Sequence, residues 1–98
     1  MLKFEPGTLV RSLAGHDKGK LYIIIEERYP MLLLADGALR TMEKPKSKKV
    51  MHIQLIHEKL ETEELTDDSI RLFIKTYQKE HNVKGIRKRR NSMSKADV

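Results

Sequence analysis

Ninety-eight residues make one small domain and hardly two. Twenty Lys and Arg against fourteen Asp and Glu give a net charge of +6, with 39% apolar residues, 5% aromatics and no Trp. Such a core is modest and mostly aliphatic, which leaves little stability for a deep catalytic cavity. The lack of Cys excludes disulfides, a thiolate nucleophile and thiolate metal sites. No run approaches the roughly 18–20 apolar residues of a membrane span, and residues 1–6 carry no secretory pattern. A soluble, cytoplasmic protein with a preference for anionic partners is expected.

Thr8–Ser12 follows the Pro6-Gly7 punctuation and reads as a first short strand. Leu13–Lys20 carries Gly15 and Gly19 and reads as a turn-rich loop. Leu21–Glu27 is rich in Ile and forms a second strand, ended by Tyr29-Pro30. Met31–Ala35 is the third, closed by Asp36-Gly37, a strong hairpin-turn pair. Leu39–Met42 is expected to pair back from that turn, and Pro45–Lys49 to be a basic loop. Val50–Ile56 alternates, placing Met51, Ile53 and Leu55 on one face and His52 and Gln54 on the other. Five short strands within sixty residues favour a small SH3-like barrel.

The period then changes. His57–Leu65 is a charged linker or an extra helical turn. Thr66 offers a capping hydroxyl, and Asp67 and Asp68 follow at the positive end of a helix dipole. Ile70, Phe73, Ile74 and Tyr77 fall at i, i+3, i+4 and i+7, one apolar stripe. The helix is expected to fade near His81-Asn82, before Gly85. Asn82–Val98 is polar and basic, and is read as disordered until bound. The organisation is thus a barrel over 1–57, an acidic linker and helix over 58–81, and a basic tail over 82–98. Leu21–Ile25 and Met31–Leu34 are apolar on both faces, unlike strands exposed on one side. The helical stripe or a partner protein must cover them.

Charge follows the same division. Residues 1–57 hold ten bases and six acids, a net +4; residues 58–81 hold four and seven, a net −3. The last seventeen hold six bases and one acid, a net +5. Two basic patches on one short chain point to a polyanion rather than a small metabolite. Enzyme readings fare badly. There is no His-x-x-x-His pair, and His52 and His57 stand five apart, which suits neither one strand face nor one helix face. Gly15–Lys20 is too short for a P-loop, and Leu21 stands where its Ser or Thr would be. Asp17 is expected to order its loop through backbone amides, and Asp36 to be a turn residue.

Gly7-x-x-Val10, then Gly15-His16-Asp17-Lys18-Gly19-Lys20 and the apolar Leu21–Ile25, resemble a KOW motif. Val10-Arg11-Ser12, Ala35-Asp36-Gly37, Arg40, Pro45-Lys46, Lys48-Lys49 and His52 follow in order. Together they look like small bacterial KOW-domain RNA-binding proteins related to large-subunit ribosomal protein L-fourteen-e. The resemblance covers about Pro6–Ile56 and implies ribosomal RNA as partner, in the ribosome or during its assembly, without catalysis, cofactor or metal.

The chemistry of the residues agrees with that implication. Gly15 and Gly19 let backbone approach a phosphate, with positive φ expected there, and Lys18 and Lys20 add charge beside the amides. Arg40, Lys46, Lys48 and Lys49 are expected to adjoin them as one patch, Arg40 through bidentate phosphate contact or stacking. Arg11 and His52 complete the barrel's candidates, and Arg87, Lys88, Arg89 and Arg90 add a second contact from the tail. With Phe4, Tyr22 and Tyr29 as the only barrel aromatics, no stacking platform is evident, which favours structured RNA. The rival reading is a protein-interaction module that docks its doubly apolar strands on a transcription or translation factor.

Overall fold

The computed structural model describes residues 4–86. The expectations for the tail beyond them, including Arg87–Arg90, lie outside the described residues. The chain forms β1 (Thr8–Ser12), β2 (Leu21–Arg28), β3 (Met31–Ala35), β4 (Lys46–Lys49), a 3-10 turn over Val50–His52, β5 (Ile53–Lys59) and α1 (Asp67–Ile86). The strands make one antiparallel sheet in the order β4-β3-β2-β1-β5, so the class is mainly β with one C-terminal helix. The expected barrel is not closed: β4 and β5 remain the two edges of an open sheet. β4 is only four residues long, and the 3-10 turn carries the chain past it to β1 before any pairing between the edges.

Alternation along the strands builds two cores from one sheet. Val10, Tyr22, Ile24, Leu32, Leu34 and Ile53 point inward and form the first. Leu9, Leu21, Ile23 and Ala35 point outward and form the second, beneath Ile70 and Ile74 of α1. This explains why β2 is apolar on both faces; on β3 only Ala35 joins the outer core, and Met31 and Leu33 stay half-buried. Burying each of the two Ile side chains of α1 contributes roughly 1.5–3 kcal/mol. Phe73 and Tyr77, expected under the helix, pack against the same cluster but stay half-buried.

Three expectations are corrected. Leu39–Met42 is not a strand. Asp36 Oδ1 accepts the amides of Ala38 (2.9 Å) and Arg40 (2.8 Å), while the Arg40 carbonyl accepts the Asp36 amide at 2.8 Å. This compact turn leaves Leu39 82% exposed, so its apolar character carries no strand signal. The fourth strand is the lysine-rich segment read as a loop: Lys46–Lys49 pairs with Met31–Leu34. The alternation over Val50–Ile56 is broken by the 3-10 turn, where the Val50 amide bonds Pro30 O at 2.8 Å and Met51 faces solvent.

α1 starts where expected. Thr66 Oγ1 accepts the Ser69 amide at 3.0 Å, and Ser69 Oγ accepts the Thr66 amide at 3.1 Å, a reciprocal cap. The helix continues to Ile86 instead of fading at His81-Asn82. A single Gly within a helix costs about 1 kcal/mol, which is not enough to end a helix already formed.

Its first turn is seated on the β3 turn. The Met42 amide donates to Asp67 Oδ1 at 2.9 Å, and the Arg71 guanidinium donates to the Gly37 carbonyl. Gly37 has φ +78°, and a Cβ there would run into the Asp67 carbonyl and stand 2.9 Å from the Arg71 nitrogen. Gly37→Ala is therefore expected to lower stability by roughly 1–3 kcal/mol, measured by urea unfolding. Gly19→Ala is the matched comparison, with φ +91° but open space around the new methyl. It should fall less, and the difference isolates the helix seat.

Candidate nucleic-acid interface

The β1–β2 loop folds back over the inner face of the sheet around one carboxylate. Gly15 and Gly19 have φ of +86° and +91°, as their place in the loop requires. The Gly19 amide bonds Ser12 O at 2.8 Å, which closes the loop and turns Asp17 inward. Asp17 Oδ1 accepts the Ser12 hydroxyl at 2.9 Å, and Oδ2 accepts the Tyr22 hydroxyl at 2.7 Å. Lys48 Nζ stands 3.3 Å from Oδ1, and Lys46 Nζ 4.0 Å from Oδ2. Asp17 thus orders its loop, but through side chains and not through the backbone amides expected.

Burial alone pushes the Asp17 carboxyl up; the hydrogen bonds from Tyr22 and Ser12, with Lys48, outweigh it and bring it down to about 2. The Tyr22 phenol is raised by its own burial and by Asp17. Asp17 is therefore a fixed negative charge in a basic surround.

A second pair lies beside it. Lys20 Nζ bonds Asp36 Oδ2 at 2.7 Å and stands 5.6 Å from the Tyr22 ring centroid. Asp36 is held below the usual carboxylate range: burial opposes this, but Lys20 and the Ala38 and Arg40 amides prevail. Asp36 is thus a turn residue, as expected, and also an ion-pair partner.

The structure therefore gathers Lys46 and Lys48 at Asp17 and Lys20 at Asp36, with Arg40 close enough to Tyr22 to act on its phenol, and these groups form a basic rim; Lys18 adjoins Asp17 in the same loop. The members differ in freedom. Lys48 is 10% exposed and also donates to the Ala14 carbonyl at 3.2 Å, so its ammonium is committed to the fold. Lys46 is half-buried above Asp17, whereas Lys18 and Arg40 are exposed. Lys49 is separated from these. It pairs with Met31 on the outer side of β4, next to the Tyr29-Pro30 hairpin. His52 is half-buried in the 3-10 turn, where its carbonyl accepts the Leu13 amide at 2.9 Å.

Arg11 is not on this rim either. It lies on the helix-facing side of β1 opposite Leu21, with its Nε buried and without a hydrogen-bond partner among the described residues. Two cations that the sequence reading did not single out approach from α1: Arg71 and Lys75 share a cleft with Lys20, Leu21, Asp36, Ile74 and Gln78. Their signal was present as a basic spacing of four within a segment whose net charge is negative. No group of three or more His, Asp or Glu among the described residues is placed to hold a metal ion. No described helix is long and apolar enough to cross a membrane.

A carboxylate depressed by folding contributes stability above its unfolded pKa and loses it as pH falls through the folded value. The share due to Asp17 should be complete above about pH 4 and disappear towards pH 2. Asp17→Asn should cost on the order of 2–3 kcal/mol at pH 7, because Lys48 is left without its counter-charge. Urea titrations between pH 2 and 7 check both: the variant should lack the part of the acid-induced loss that the wild type shows below pH 4.

No protein-family model matches this chain, and no curated protein matches it.

Proposed function

We propose that this chain is a non-catalytic RNA-binding protein whose inner rim grips the phosphate backbone of structured RNA. The observation that carries the reading is the rim on which Asp36 holds Lys20 and Asp17 holds Lys46, with Arg40 beside Tyr22 and the exposed Lys18 next to Asp17 in the loop. Partly buried ion pairs at Asp17 and Asp36 hold the rim's shape, and the exposed cations beside them remain for a ligand. RNA helices present phosphates and 2′-hydroxyls over a shallow minor groove, which shape and charge can read without base stacking. The resemblance to KOW proteins supports ribosomal RNA as the partner, in a bacterial cytoplasm, on the ribosome or during its assembly. The rival reading, a docking module, keeps only part of its motivating surface: α1 covers the outer faces of Leu21 and Ile23, while Met31 and Leu33 on the outer face of β3 stay half-buried.

Lys18 and Arg40 are exposed, so removing them tests binding without disturbing the fold. Each lost phosphate contact lowers the magnitude of the log K against log[salt] slope by roughly 0.7–0.9. Lys18→Gln with Arg40→Gln is expected to flatten that slope by about 1.4–1.8 on ribosomal RNA fragments, with the melting temperature unchanged. Lys48→Gln is expected to lower the melting temperature instead. A wild type without salt-dependent RNA binding, or a double variant with an unchanged slope, overturns the reading.

A further inference from the structure

The segment from Glu58 to His81 has a negative sum, but its charges are sorted along the chain. Six of its seven acids (Glu58, Glu61, Glu63, Glu64, Asp67 and Asp68) precede Ser69, and only Glu80 follows. Beyond Ser69 the bases are Arg71, Lys75 and Lys79, spaced four residues apart and all exposed. At 3.6 residues per turn they line one side of α1, a row about 12 Å long. Arg71 borders the buried stripe of Ile70 and Ile74, and Lys75 and Lys79 turn progressively away from it; Asp68 stands on the same side one turn before, and Glu80 lies about 140° round the axis from Lys75.

The row begins beside the basic rim. Arg71, Lys75 and Gln78 line the same cleft as Lys20, and Lys79 extends the row one turn beyond it. Arg11 stands across from Leu21, a residue of that cleft, and forms no ion pair among the described residues. Arg71 is held by Asp68 and the Gly37 carbonyl; Lys75 and Lys79 have no such partner among the described residues. The helix dipole does not account for the row, since it favours cations only in the last turn and Arg71 and Lys75 lie in the first half of α1. Nor does a single bound anion call for three cations strung over about 12 Å. A polymer with repeating charge does.

We infer that the Arg71–Lys75–Lys79 face of α1 is a second contact surface for the RNA backbone, continuous with the rim through Lys20. This rests on the RNA-binding reading above. The helix then serves both as the lid of the outer core and as a phosphate track leading away from the sheet.

The test is a salt titration of the full chain on ribosomal RNA fragments, with circular dichroism confirming helix content. Lys75→Gln with Lys79→Gln should reduce the slope magnitude by about 1.4–1.8. Lys75→Arg with Lys79→Arg should keep it. The control is Arg28→Gln with Lys59→Gln, which removes the same charge at the opposite end of the sheet, where β2 ends and Lys59 pairs with Thr8. It should shift the slope by much less. An unchanged slope for the helix variant, while the Lys18/Arg40 variant flattens, overturns this inference and leaves the rim intact as the RNA site. Equal shifts from the helix variant and the control overturn it too, since net charge alone would explain them. A wild type that does not bind RNA removes both.

Discussion

An open five-stranded sheet has to be held in shape where its edges do not meet, and here a carboxylate does much of that. Asp17 receives hydroxyls from the end of β1 and from β2, and ammonium groups from β4, so one edge strand and two interior strands converge on it. The Lys48 bond to the Ala14 carbonyl ties the β4 edge to the same loop. A polar clamp of this kind is strong because it is shielded, and for the same reason it fails badly when one member is removed. It also fixes which cations are free to act. Lys48 serves the fold, while Lys18 and Arg40 are left at the surface.

The second dependence is of the helix on the sheet. α1 adds Ile70 and Ile74 to an outer core that the strands cannot complete alone, and its first turn locks onto the Asp36-Gly37 turn. Asp36 is therefore shared. Its Oδ1 shapes the turn that seats the helix, and its Oδ2 holds Lys20 on the basic rim. Rim and helix are positioned by one residue, which is why the cations of α1 come to stand beside Lys20.

Much of this was legible in the sequence, for physical reasons that can be named. β1, β2 and β3 were marked by apolar runs between glycine and proline turns, and α1 by Thr66 and a stripe of period 3.6. The apolar character of both faces of β2 announced that something covers them. β4 was not legible, because its pairing relies on backbone hydrogen bonds while its side chains are three lysines and a serine. Leu39 and Met51 misled in the opposite direction, being large apolar residues that the turns leave in solvent. The glycine loop and the lysines were found, but not their division into clamped and free. That division depends on Asp17 lying close to Lys48, thirty-one positions away, and no local pattern encodes it.

The lysines of β4 have a consequence for how copies of this protein meet one another. An open sheet leaves strand edges, and an unpaired edge is a template on which another chain's strand can add. β4 is one of those edges. It is four residues long, three of them lysine, so two such edges brought together would set like charges side by side before any ladder formed. The strand least like a strand in composition thus makes the β4 edge a poor template for a second copy of itself.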